Sequence, residues 1–247
     1  MDTVNIKGEE GFELNDKKVI KAWAMFDWAN SAYALVITTA VFPIYFSAVV
    51  EDDFVFLGRQ MRDDALLAYS ISFAYFVIAL LLPILSGIAD YGGKRLSFMK
   101  GFTWIGSLSC ISLYFFFGME YLWIGLTGSI LALIGFAGGQ IFYNSYLPVI
   151  ASKDKFDSVS AKGFSYGYFG SVFLLVVILA MITFYEQLGF PNEGVASRWG
   201  FVLVGIWWFL VISGLAILYL LFNQVLPDFA QIGLTKSWYS TVFGLVL

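Results

Sequence analysis

Six apolar runs follow one another with little between them, at roughly 20–49, 66–89, 97–118, 121–150, 163–187 and 199–222. A helix that crosses a hydrocarbon core about 30 Å thick needs about 20 mostly apolar residues, and each run can supply them. One such run could be the buried helix of a large soluble protein. Six in 247 residues leave too little other chain to cover them. The runs do not alternate apolar and polar positions, which a transmembrane barrel strand requires. Charged residues make up 13% of the chain, about half the share usual in soluble domains. The expected fold is therefore an all-α polytopic membrane protein with six transmembrane helices spanning residues 19–222.

The same composition closes off several functions. A net charge of −4 gives no electrostatic reason to expect a nucleic-acid partner. There is no histidine, and the one cysteine, Cys110, sits in an apolar run, so Cys/His zinc sites and an intrachain disulfide are excluded. Near the membrane the acids are Asp27 and Asp90, too few for a paired-carboxylate enzyme. No G-x-x-x-x-G-K-[ST] loop is present, and no cofactor is expected. Residues 1–18 are polar and of mixed charge, unlike a cleavable signal, and read as a cytoplasmic tail with Asn15 or Asp16 capping the first helix. Pro227 and Asp228 stop the sixth run, so residues 223–247 read as a cytoplasmic segment.

Direction follows from Lys and Arg. Eleven fall on one side: Lys7, Lys17, Lys18 and Lys21 in the tail, Lys94, Arg95 and Lys100 after span two, Lys153, Lys155 and Lys162 after span four, and Lys236. The other side has three, Arg59, Arg62 and Arg198, and its first loop, "EDDFVFLGRQMRDD", is strongly acidic. Both termini are expected in the cytoplasm.

The loop "GIADYGGKRL" (87–96) joins spans two and three by a tight basic turn with Asp90 at the helix end. Its G-x-x-A-D-x-x-G-K-R spacing resembles the loop signature of the major facilitator superfamily, with Tyr91 where many members carry a basic residue. "WAMFDWANSAYA" (23–34), "AVFPIYF" (40–46), "FYNSYLPVIA" (142–151) and "SAKGFSYGYFGS" (160–171) resemble its vacuole-effluxer-like branch, in order, over about residues 17–222. That branch includes fungal vacuolar amino-acid effluxers and bacterial inner-membrane relatives. The resemblance implies a secondary transporter with twelve spans, of which this chain carries the N-terminal six-helix half, built as an inverted 3+3 repeat. It also implies a bacterial inner-membrane location, a small polar solute such as an amino acid, and gating by Gly87, Asp90, Gly93, Lys94 and Arg95. Residues 223–247 then begin the linker to a missing second half, and the partners are the lipid bilayer, the solute, and either that second half or a second copy.

Within the spans the polar residues are few and patterned. Asp27, Asn30, Ser31, Ala34 and Thr38 follow helical spacing and form a narrow stripe in span one. Gln140, Tyr143 and Asn144 share a face in span four, and Ser165, Tyr166, Tyr168 and Ser171 fall in the inner half of span five. We take Asp27, Asn30, Ser31, Thr38, Gln140, Tyr143, Asn144 and Tyr166 as candidate pathway or coupling residues; helix-packing glue is the alternative for the hydroxyls. Gly163 and Gly167 read as a close-packing pair. Trp23, Trp28, Tyr121, Trp123 and Trp199 lie near span ends and read as interfacial anchors.

Asp27 raises the main question. Ala22 to Val50 covers 29 positions, about 43 Å of helix, which puts Asp27 at the cytoplasmic edge of the core. Three roles stay open: a proton carrier, an inner-gate carboxylate paired with Lys21 or Lys162, or a helix-start carboxylate. The leading function is secondary transport by alternating access; a non-transporting membrane scaffold is the second reading.

Overall fold

A computed structural model describes residues 14–92 and 95–225, with backbone alone at 88–92 and 211–225. The tail to residue 13, the side chain of Asp90, Gly93, Lys94 and the segment from Leu226 onward lie outside the described residues. The described chain is nearly all helical. Four stretches in it are long and apolar enough to cross a membrane: Lys17–Val49, Asp63–Gly87, Met119–Ile150 and Lys153–Thr183.

Helix α1 (Lys17–Tyr33) starts at Asp16, whose side chain accepts the Lys18 amide at 2.7 Å. Asn15 has a different task. It takes a left-handed φ of 67°, donates its amide to the Ile150 carbonyl at 2.8 Å, and exchanges side-chain hydrogen bonds with Ser152. α1 runs on as a π-helical segment, Ala34–Ala40, and then breaks before α2 (Phe42–Val49). Pro43 lies in the first turn of α2, where a missing N–H costs little.

The acidic loop contains strands that an all-α expectation omits. β1 (Asp53–Phe56) and β2 (Arg59–Arg62) pair antiparallel in a hairpin. Its two turn residues, Leu57 and Gly58, have φ of 51° and 79°, the sign a tight turn needs to match strand twist.

Helix α3 (Asp63–Gly92) follows at once, and α4 (Arg95–Ser112) after the basic turn. α4 stops six residues short of the end of its apolar run, passing into a 3-10 turn at Leu113–Phe115. Apolarity marks that run, and "FFFG" is as suited to a packed turn as to a helix. α5 (Leu122–Ser145) gives way to the short α6 (Leu147–Ile150), again with a proline in its first turn. α7 (Phe156–Thr183) starts seven residues before its apolar run, because Asp157 and the polar residues after it still favour helix. α8 (Glu193–Val225) starts six residues early, where the Asn192 side chain accepts the Val195 amide at 2.9 Å.

The helices pack in a crossed pattern. α1 lies on α7 and α8, α5 lies on α4 and α3, and α4 also packs on α8. Between lipid-exposed helices the drive is close packing, so small residues mark the contacts. A Cβ on Gly135 of α5 would stand 2.5 Å from the Gly106 amide nitrogen and 2.6 Å from the Phe102 carbonyl of α4. Gly106 in turn carries the ring of buried Trp208 from α8. Three helices meet on two missing side chains.

Two tryptophans depart from the belt expectation. Trp23 is buried, and Trp28 stacks on Trp207 at 4.1 Å instead of facing the interface. Lys100, which we counted with the basic loop, is buried in α4. Gly135→Ala should cost about 1–3 kcal/mol through overpacking. Gly101→Ala, with nothing within 4 Å, should be neutral or stabilising. Thermal melts in detergent separate the two, and equal melting temperatures would contradict this crossing.

Candidate functional site

About one turn of α1 carries two of the most buried polar side chains among the described residues. Asp27 is 1% exposed and Asn30 0%, three residues apart on one face. Ser31 donates its hydroxyl to Asp27 Oδ1 at 3.0 Å. From α5, Gln140 accepts a hydrogen bond from Asn30 Nδ2 at 2.8 Å, which brings its side chain beside the Asp27 carboxylate. The α1 stripe and the α5 stripe, separated by more than a hundred residues, thus become one cluster.

α7 closes the third side with backbone. A Cβ on Gly167 would stand 2.6 Å from Ser31 Oγ and 2.8 Å from Asp27 Oδ2. One turn away, a Cβ on Gly163 would stand 2.6 Å from the Tyr143 hydroxyl. Gly170 lies against the Trp28 carbonyl in the same manner. The glycines let α7 come near enough to shield a carboxylate that no side chain of that helix covers.

Asp27 has no ion pair with a described Lys or Arg. Its hydrogen-bond partner is Ser31, with Gln140 beside it, and not the Lys21 or Lys162 that the inner-gate role among the three open ones would call for. Lys21 is exposed, and the close glycine contact leaves no room for a lysine head group between α1 and α7. Two buried polar atoms here have no hydrogen-bond partner, Asn30 Oδ1 and the Tyr143 hydroxyl. Asn30 Oδ1 faces Gly139 of α5, 3.9 Å from where a Cβ there would stand.

Trp23 completes the cluster, where the sequence reads it as an interfacial anchor. Its ring stacks on Tyr143 at 4.2 Å, and its Nε1–H donates to the Tyr143 carbonyl at 3.0 Å. That carbonyl is in the last turn of α5 and has no i+4 amide partner within the helix. The signal was in the sequence: Trp23 is four residues before Asp27, on the same helical face.

The other candidates scatter. Tyr166 is half-buried and packs against the Trp23 and Tyr143 cluster. Asn144 is exposed beyond it. Ser165 and Ser171 bond to their own helix backbone, and Tyr168 is exposed. Thr38 leaves the stripe altogether. The π-helical bonding of residues 34–40 shifts its phase, and it lines a small cavity of about 20 Å³ with Ser70 of α3 and Ser129 of α5. Of the basic turn, Gly87 is exposed in α3 and Arg95 is half-buried at the start of α4. Asp90's side chain, Gly93 and Lys94 lie outside the described residues.

Comparison with known proteins places these residues in a wider context. The family model described as vacuole effluxer Atg22-like matches residues 15–232. The MFS-type transporter YxiO of Bacillus subtilis is 34% identical over 76% of this chain and 43% of its own length. Autophagy-related protein 22 of Coccidioides immitis is 30% identical over 59% of this chain and 23% of its own. That of Pyricularia oryzae is 24% identical over 58% and 25%. The chain thus spans less than half the length of these relatives. No solved structure matches significantly.

Gly167→Ala is the direct test of the shielded carboxylate. It should lower the melting temperature in detergent, with a cost of about 1–3 kcal/mol. The double variant Gly167→Ala with Ser31→Gly should recover part of it, since one of the two crowded atoms is removed. No loss in the single variant would contradict the α1–α7 contact.

Proposed function

Because the chain belongs to the vacuole effluxer Atg22-like family, we propose that it forms one six-helix half of a secondary transporter that moves a small polar solute by alternating access. Amino acids are the solute class we favour, from the resemblance noted in the sequence and the mixed donor and acceptor character of the cluster. The observation that carries the proposal is the buried relay of Asn30, Gln140 and Asp27, which ties α1 to α5 through polar side chains. Ionisable groups buried in membrane helices are expensive, and where they persist they line pathways or couple ions.

An inverted 3+3 arrangement of six spans, on residues 19–222, makes α1 and α5 the first helices of the two triplets. Two features support it. Each first helix is broken near its end and resumes as a short helix with proline in its first turn, Pro43 in α2 and Pro148 in α6. Each also packs on the second helix of the other triplet, α1 on α7 and α5 on α3. A site between repeat-related first helices is the usual place for solute in such folds. The second wall comes from a further six-helix half or a second copy.

The Lys and Arg distribution favours both termini on the cytoplasmic side, and we place the protein in a bacterial inner membrane. Residues 1–18 are then a polar tail and 223–247 the start of an inter-half linker. In this orientation Asp27 lies at the inner mouth of the pathway, with Asn30 and Gln140 as the next polar contacts. Gly87, Asp90, Gly93, Lys94 and Arg95 serve the cytoplasmic gate, Asn144 and Tyr166 the inner side of the Asp27 cluster, and Thr38 the outward continuation of the path.

The test uses the full-length protein in proteoliposomes after a thermal-shift screen has found a solute. Asp27→Asn should reduce concentrative uptake on the order of tenfold or more, as expected when charge-assisted hydrogen bonds worth about 1.5–3 kcal/mol are lost. Uptake at the wild-type rate by a folded variant would overturn the assignment.

A further inference from the structure

We propose that the Asp27 cluster is a binding site for a monovalent metal cation of sodium size, held by the Asp27 carboxylate, Ser31 Oγ and Gln140 Oε1. The inference rests on reading this cluster as the solute-handling site and adds an ion to it. Three observations lead there. A carboxylate 1% exposed has only neutral polar neighbours, a hydrogen bond from Ser31 and the Gln140 side chain beside it. Asn30 Oδ1 and the Tyr143 hydroxyl are buried and unpartnered beside it. Gly167 and Gly163 leave the Asp27, Ser31 and Tyr143 oxygens facing bare backbone.

Charge selects the ion. One carboxylate and neutral oxygens balance a single positive charge, whereas a divalent ion would leave an excess in a low-dielectric site. Hard oxygen donors with no sulfur or imidazole suit a hard cation.

The two amides supply a switch. In the structure Asn30 Nδ2 donates to Gln140 Oε1, which leaves the Gln140 amide nitrogen, on a side chain beside Asp27, available to the carboxylate. This arrangement solvates the bare carboxylate and strands Asn30 Oδ1. Rotating both amides by 180° keeps a hydrogen bond between them, now from Gln140 Nε2 to Asn30 Oδ1. Gln140 Oε1 then faces Asp27. Two acceptors facing each other are stable only with a cation between them. Occupancy of the site therefore sets the amide orientation, and the orientation is relayed from α5 to Asn30 on α1. No covalent bond changes.

The experiment is equilibrium binding of radioactive sodium to the full-length protein in detergent, at constant ionic strength with choline as the inert cation. Saturable binding of one ion per chain is expected, competed by cold sodium, and lost in Asp27→Asn. Ser31→Ala and Gln140→Leu should each weaken it roughly tenfold or more. Melting curves identify any variant that fails to fold, and Ser31→Ala, which removes one hydroxyl oxygen and leaves the carboxylate in place, keeps the test open if Asp27→Asn does not survive. Absence of saturable binding in the folded wild type overturns the proposal, as does equal binding in folded Asp27→Asn. So does competition by protons with no sodium dependence, which assigns the carboxylate to a proton. Solute uptake without sodium binding would sink the ion site and leave the transport reading standing.

Discussion

The contact of α7 with α1 over Gly163, Gly167 and Gly170 is what permits a carboxylate to sit inside this bundle. At each of these positions a Cβ would run into an atom of α1 or of Tyr143. A larger residue would hold the helices apart and admit lipid or water to Asp27. With glycine, the backbone of α7 itself closes the site. The polar partners then have to come from α1 and α5, and they do, through Ser31 and Gln140. Burial and hydrogen bonding are thus divided between helices: one excludes, two satisfy.

That division explains what was legible beforehand. Asp27, Asn30 and Ser31 share a helical face by spacing alone, and Gln140 and Tyr143 share another. Any fold that brings the first and fourth spans together joins them. The Gly163 and Gly167 pair also reads as a close contact without knowing the partner. Trp23 does not yield to the same reasoning. A tryptophan near a span end is equally suited to a headgroup layer and to a helix terminus, and the choice depends on the last-turn Tyr143 carbonyl in another span, which accepts Trp23 Nε1–H besides the Tyr146 amide. Lys21 and Lys162 were natural partners for Asp27 on charge, but charge says nothing about the glycine contact that leaves them no room.

Thr38 parts from the Asp27 stripe for a different reason. Spacing arguments assume a constant 3.6 residues per turn, and Ala34–Ala40 is wound as a π-helix with Val41 N bonding the Val36 carbonyl at 2.8 Å. Val36, Ile37, Thr38 and Thr39 crowd this stretch, and Pro43 follows it. The hairpin at residues 53–62 escaped notice because its turn is Leu-Gly, not the Asn-Gly that announces such turns. In both cases the irregular element joins regular ones whose positions were readable, so the errors stay local.

The consequence of the π segment reaches further than one threonine. It divides span one into an inner part, whose polar face meets Gln140, and an outer part, whose Thr38 meets Ser70 and Ser129 at a cavity large enough for about one water. A uniform helix would have set Asp27 and Thr38 on one line, a continuous polar stripe open along its length. The change of winding puts them on different neighbours instead, α5 and α7 for the inner set, α3 and α5 for the outer. α5 is common to both. Movement of α5 relative to α1 therefore disturbs the two polar regions together, while movement of α3 or α7 disturbs one alone. The alternating access proposed above needs such an asymmetry, and here it follows from seven residues of altered helical bonding.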